Sequence, residues 1–261
     1  MNDYTLNVGD RLMELTGGRV MGILNATPDS FYAASRQQTV DDIARRADEI
    51  VEEGADIIDV GACSTRPGSA PATEAEEKER LREALGVVCR RHPEMPVSVD
   101  TFRPEVARMA IDTFGVSVIN DISGGTEEMY RLVARQQVAY VLTSQQATLR
   151  DTLLFFADRV QQLRSLGQKD IILDPGFGFG KTVEQNFSLL GLLERLQVLE
   201  LPLLVGVSRK SMIYKTLQCE PSEALNGTTA LHAIALMKGA GILRVHDVKE
   251  AKECVKLCAA L

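Results

Sequence analysis

VSVDTFRPEVARMAIDTFGVSVIN, residues 97–120, decides how the chain folds. It opens on a short aliphatic run, VSVD (97–100), closes on another, VSVIN (116–120), and carries a longer helical pattern between them. Both runs are nearly continuous in apolar residues, as strands covered on both faces require. Strand, helix and strand in so short a stretch read as one βα unit followed by the next parallel strand.

The same rhythm continues outward in both directions. VMGILN (20–25), DIIDVG (56–61), AYVLT (139–143), DIILD (170–174), LLVGV (203–207) and GILRV (241–245) complete a set of eight runs, each followed by a helical pattern. Thr39–Asp42 and Thr73–Glu76 read as capping boxes. Val40, Ile43, Ala44, Ala47, Ile50 and Val51 recur at helical spacing, and Gly54 marks a stop. Glu74/Lys78 and Glu76/Arg80 stand at the i, i+4 spacing of an exposed helix face. No Pro, Gly or Ser-rich linker divides the 261 residues. Eight alternating units then predict an α/β chain folded as a single (β/α)8 TIM barrel over 1–261, because an open doubly wound sheet would need a reversal of strand order. TLNVGDRLMEL (5–15) reads as an N-terminal hairpin that turns at Gly9-Asp10 and closes the barrel floor.

Composition excludes several classes. A hydrophobic share of 45% with 25% charged residues is ordinary globular usage. No apolar run approaches the roughly 18 residues of a membrane span. Lys and Arg number 29 against 36 Asp and Glu, a net −7 that argues against general affinity for nucleic acid or acidic lipid. Five Cys without regular spacing and a polar N-terminus predict a cytoplasmic, reducing location. Cys254 and Cys258 stand one helical turn apart beside apolar residues and are expected in the core rather than on a metal.

In such a barrel the ligand lies at the carboxyl ends of the strands. There the sequence places Asn25, Asp59, Asp100, Asn120 with Asp121, Asp174, then Ser208, Arg209 and Lys210, and finally Arg244 and His246. So many polar groups on one face are costly unless each finds a partner. Asp100, Asn120, Asp174 and Lys210 form an acceptor-rich set suited to a flat heterocycle with adjacent N–H and NH2 donors. Asn25, Arg66, Arg244 and His246 form a second set suited to phosphate oxygens, with Asn25 also able to ligate Mg2+. Asp59, before a Gly and well back from the loop, is expected to be structural, as are His92 and His232. PGFGFGKT (175–182) fails the spacing of a phosphate-binding loop, and its glycines are expected to let Phe177 and Phe179 lean into the barrel mouth.

Seven stretches now carry a resemblance. GILNATPDSF (22–31), DVGACSTRPGS (59–69), SVDTFRPEVA (98–107), INDISGG (119–125), DPGFGFGKT (174–182), VGVSRKSMI (205–213) and ILRVHDVKEA (242–251) resemble, in order, the dihydropteroate synthases of folate biosynthesis. The resemblance implies a Mg2+-dependent barrel, commonly a homodimer. It implies that 6-hydroxymethyl-7,8-dihydropterin pyrophosphate is joined to 4-aminobenzoate, with release of pyrophosphate, by a dissociative substitution. It places the pterin on Asp100, Asn120, Asp174 and Lys210, and the pyrophosphate on Asn25 with Mg2+, Arg66, Arg244 and His246. Thr65, Pro67, Phe179, Lys210 and Ser211 would border the aminobenzoate pocket, where sulfonamides bind in the family. Asp100, Lys210 and Arg244 are the residues expected to carry the chemistry.

The chain departs from the family pattern at Thr143, Ser144, Gln145 and Gln146, where a Met-His-Met-rich stretch is usual. It departs again at Tyr32–Ala33–Ala34–Ser35 and at Gly61–Ala62. A non-catalytic pterin-binding paralogue and a pterin-dependent methyltransferase stay open as alternatives. STRPG (64–68), SRKS (208–211) and Arg244-Val245-His246 favour pyrophosphate chemistry over both.

Overall fold

A computed structural model describes residues 4–9, 11–26, 36–63 and 72–261. Strands β3 (Arg19–Asn25), β4 (Ile57–Gly61), β5 (Val97–Asp100), β6 (Val118–Asp121), β7 (Ala139–Thr143), β8 (Ile171–Asp174), β9 (Leu203–Val205) and β10 (Ala240–Val245) close into a parallel barrel, with β10 pairing β3. Between them run helices α1 (Arg36–Glu52), α2 (Glu74–Arg91), α3 (Pro104–Phe114), α4 (Glu127–Gln136), α5 (Leu149–Ser165), α6 (Val183–Gly191), α7 (Ser211–Leu217) and α8 (Leu225–Met237), and α9 (Val248–Cys258) follows the last strand. This is the eight-unit barrel that the sequence predicts.

The hairpin is present as well. Strands β1 (Thr5–Val8) and β2 (Arg11–Glu14) pair antiparallel around Gly9, whose φ of +72° suits glycine. Leu6, Val8 and Leu15 pack with Met21, Ile57, Val118, Ala139, Val141, Ile172, Leu204 and Ile242 as one buried cluster inside the barrel. The Asn7 N–H donates to Asp170 Oδ1 at 3.0 Å and ties the hairpin to the start of β8. Burying three such side chains is worth ~1.5–3 kcal/mol each, which holds the floor closed.

Alternation along each strand sorts core from site. Val20, Ile58, Val99, Ile119, Tyr140, Leu173, Val205 and Leu243 face outward into the larger core that helices cover. The interleaved residues face inward. Of the helix signals, Thr73 and Glu76 form a complete capping box, Lys78 meets Glu74 at 2.6 Å, and Gly54 adopts φ +89°. Glu76 is held below the usual carboxylate range chiefly by its hydrogen bonds to Thr73, with the charge of Arg80 adding to it, while the Arg80 guanidinium also donates to the Ala62 carbonyl at 3.3 Å. Two expectations need correction. α1 begins at Arg36, so Thr39 lies inside its first turns instead of capping it. The sixth strand also starts later than the VSVIN run, at Val118.

Candidate active site

The inward alternation delivers the site. Two residues beyond interior Ile57, Val118, Val141, Ile172, Leu204 and Ile242 come Asp59, Asn120, Thr143, Asp174, Gly206 and Arg244, while Asn25 and Asp100 end β3 and β5. Barrel closure therefore brings side chains from the whole length of the chain to one mouth.

Arg244 organises this group. Its Nε donates to Asp59 Oδ2 at 2.6 Å and its Nη2 to Asp100 Oδ2 at 2.7 Å. Asn120 Nδ2 donates to the same Asp59 oxygen at 3.2 Å. Asp59, expected to be structural, is fully buried and ties Arg244 to Asn120, in keeping with that expectation. Arg244, expected among the phosphate ligands, has its guanidinium on Asp59 and on Asp100 of the acceptor set. Burial alone would weaken the guanidinium's hold on its proton, but Asp59 and Asp100 reverse this and raise its pKa. For Asp100, burial dominates: it lifts the carboxyl to about 7 against the pull of Arg244.

The opposite wall holds Asp174 and Lys210. Asp174 Oδ1 accepts the Gly176 N–H at 2.7 Å, and burial raises its pKa while Lys210 opposes the rise. Lys210 Nζ donates to the Phe177 carbonyl and sits 4.8 Å over the Phe179 ring centroid. Desolvation lowers the Lys210 pKa to about 8, with Asp174 acting the other way. A Cβ at Gly206 would lie 3.8 Å from Arg244 Cβ and 3.9 Å from Lys210 Nζ, so this position lies between the stem of one side chain and the ammonium of the other. Gly61 plays the same part between Asn25 and Asp100, since a Cβ there would lie 3.7 Å from Asn25 Oδ1 and 3.5 Å from Asp100 Cβ.

Asp59 Oδ1, Asn120 Oδ1, Ser98 Oγ and Thr143 Oγ1 are buried and without a hydrogen-bond partner among the described residues. All four belong to the inward register of β4 to β7. Unpaired buried acceptors and hydroxyls on consecutive strands match a ligand that presents several donors along one edge.

Other sequence expectations fall in varied places. Phe179 is at the mouth, as expected, but Phe177 is fully buried in the outer core and does not lean in. Lys181 donates to the Gly176 and Ser144 carbonyls at 2.8 and 3.3 Å, so it ties the loop after β8 to the end of β7. His246 follows β10 and pairs with Ser208, and Ser211 opens α7 directly after Lys210. Asp121 accepts from Ser123 and Tyr140 on the outward side and is structural. His92 pairs with Asp48 at 2.8 Å, a structural contact as expected. His232 and Cys254 are buried against the core helices. Thr65, Arg66 and Pro67 lie outside the described residues.

The contacts that support the chain on either side of residues 64–71 carry no local signal in the sequence. Buried Glu77 of α2 accepts from Thr101 Oγ1 at 2.7 Å and pairs with Arg103, whose Nη2 reaches the Ala72 carbonyl at 2.7 Å. With Arg80 on Ala62, α2 grips the chain on both sides of residues 64–71.

Comparison with known proteins places the chain in a family. Residues 21–246 match the family model of pterin binding enzymes. The dihydropteroate synthase of Escherichia coli K12 is 39% identical over 95% of this chain and 93% of its own, and that of Synechocystis is 41% identical over 100% and 97%. Among solved structures, Xanthomonas albilineans dihydropteroate synthase with 4-aminobenzoic acid superposes with a TM-score of 0.93 at 34% identity, covering 99% of this chain and 98% of the other. The Yersinia pestis enzyme in a sulfonamide complex gives 0.90 at 34% identity, with 98% of each chain covered. Matched along nearly its whole length by such relatives, the chain belongs to the pterin binding enzymes, in the dihydropteroate synthase family.

Proposed function

We propose that the chain, acting as one domain over 1–261, condenses 6-hydroxymethyl-7,8-dihydropterin pyrophosphate with 4-aminobenzoate to give 7,8-dihydropteroate and pyrophosphate. The observation that carries this reading is the Arg244 bridge between Asp59 and Asp100, set beside Asn120, Asp174 and Lys210. It joins a donor-binding wall to a cation beside the rim.

In this reading Asp100, Asn120, Asp174 and Lys210 hold the pterin edge, and the unpaired Asn120 Oδ1 supports their reach toward it. Asn25, Arg66, Arg244 and His246 receive the pyrophosphate. Thr65, Pro67, Phe179, Lys210 and Ser211 border 4-aminobenzoate, and a sulfonamide would compete there. The methylene C–O bond breaks with its electron pair leaving on pyrophosphate, and Arg244 stabilises the growing negative charge. The carboxylates at the ring edge tolerate the cation left behind. The arylamine nitrogen then forms the C–N bond and releases its proton to solvent or to the departing anion. Water has to be kept out meanwhile, since it would trap the same cation.

Asn25 is a hard oxygen donor that lies beside the side-chain-free gap at Gly61. A single amide oxygen completed by substrate phosphate oxygens and water fits the habits of Mg2+, which would supply further charge neutralisation at the leaving group. Exposed Ile234 and Met237 on α8, with Leu217 on α7, support a homodimer. Five free thiols support a cytoplasmic location, and no helix among the described residues is long and apolar enough to cross a membrane.

The test supplies the protein with pterin pyrophosphate, 4-aminobenzoate and Mg2+ and follows pyrophosphate and dihydropteroate. Equal release of both is expected. Pterin binding by calorimetry without any pyrophosphate release would overturn the reading.

A further inference from the structure

Ser208 is 4% exposed, and its Oγ meets a single residue twice: the backbone nitrogen of His246 at 3.2 Å and the ring Nδ1 of His246 at 3.1 Å. The backbone N–H can only donate, so the hydroxyl oxygen accepts there. The hydroxyl proton is then available to Nδ1, which receives it only by presenting its lone pair. A neutral imidazole with Nδ1 as acceptor carries its own proton on Nε2.

We propose that Ser208 is a positioning residue that fixes His246 as the Nε2–H tautomer, so that an uncharged ring presents an N–H donor to a pyrophosphate oxygen. The proposal rests on the function given above and deepens it. In the other tautomer the ring would turn a lone pair toward an anion. Ser208 thus decides between attraction and repulsion at one position.

The neighbouring residues hold this pair in register. Arg209 sits at φ +52°, a region that a residue with a side chain keeps only where its surroundings over-determine it. Its guanidinium grips Asp247 at 2.9 and 2.8 Å and donates to the Pro221 and Ser222 carbonyls, while its backbone N–H donates to Thr228 Oγ1 at 3.1 Å. The residue after Ser208 is therefore locked to the residue after His246. Burial favours the neutral ring most, and the surrounding charges add to it, since Arg244, Arg209 and Arg46 outnumber Asp247; Arg46 already bonds the His246 carbonyl at 2.6 Å.

The test uses the full chain with 15N-labelled histidine rings, His246 signals being assigned by their loss in His246→Gln. In the parent at neutral pH, His246 should show an unprotonated Nδ1 and a protonated Nε2. Ser208→Ala should yield a tautomer mixture and Ser208→Thr should restore the parent pattern. Inhibition by inorganic pyrophosphate should weaken about tenfold in Ser208→Ala and recover in Ser208→Thr, with KM for 4-aminobenzoate unchanged. A parent His246 protonated on Nδ1, or a Ser208→Ala spectrum identical to the parent's, overturns the proposal. Should the parent make no dihydropteroate, the proposed function fails, and the spectra still decide the tautomer.

Discussion

Arg244 Nε lies 2.6 Å from Asp59 Oδ2, although the two residues are 185 positions apart in the chain. Asp59 is fully buried, so this contact is not screened as a surface pair would be. The same guanidinium holds Asp100, and one cation thereby restrains two carboxylates that would otherwise repel.

Replacing Asp59 should therefore damage stability and turnover together. Asp59→Ala leaves Arg244 under-neutralised and should lower unfolding stability by ~3–5 kcal/mol, whereas Asp59→Asn keeps an acceptor and should cost ~1–3 kcal/mol. In Asp59→Asn, kcat/KM for pterin pyrophosphate should drop by more than about tenfold. Urea unfolding and steady-state kinetics check both figures. Full activity in Asp59→Asn would confine Asp59 to a purely structural role.

Asp174 makes a different demand. Its Oδ1 already accepts the Gly176 N–H, which leaves Oδ2 to meet a donor on the pterin. Asp174→Asn offers an amide where a carboxylate is needed, and a charged hydrogen bond of roughly 1.5–3 kcal/mol goes with it. Catalytic efficiency should fall about tenfold or more. A loss smaller than about threefold would show that another group anchors the ring.

How far the sequence reveals this site depends on how local each signal is. Asn25, Asp100, Asn120, Asp174 and Arg244 stand at strand ends, where alternation and the barrel rule expose them. Asp59 sits one inward step deeper, and its partner arrives only when β10 closes on β3 beside β4. Nothing near residue 59 announces that contact. Ser208 likewise bonds a residue 38 positions away, and Glu77 and Arg103 meet across two helices. Phe177 departs from expectation for the opposite reason: a glycine-rich loop suggests reach into the mouth, but past the end of β8 Phe177 packs into the outer core. Fold was legible because every unit repeats one pattern, while the pairing of side chains across units has no repeat to read.

Two titrations should frame the activity. Asp100 is raised to about 7, so its charged form is present only above that pH. Lys210 is lowered to about 8, so its charged form is present only below that pH. kcat/KM for pterin pyrophosphate should peak between these values and fall on both sides, the limbs belonging to the coupled cluster and not to isolated groups. Asp100→Asn should flatten the acid limb, and Lys210→Arg the alkaline one, each on a lower plateau. A pH profile that keeps both limbs in these variants would assign the titrations elsewhere.

Thr143 separates stability from binding. It ends β7 in register with Asp174, faces inward after Ala139 and Val141, and is fully buried with its hydroxyl unpaired among the described residues. Its Cγ2 would lie 3.2 Å from a Cβ at Gly176, which places the methyl against the loop after β8. An unpaired buried hydroxyl costs roughly 1–3 kcal/mol, and Thr143→Val removes it with little change of volume. The ligand-free variant should melt higher than the parent. If the hydroxyl serves the pterin, its KM should rise in the same variant, so that Tm and affinity move in opposite directions. A higher melting temperature with unchanged KM would mark Thr143 as a packing residue, and a lower one would show that the hydroxyl is paired in solution.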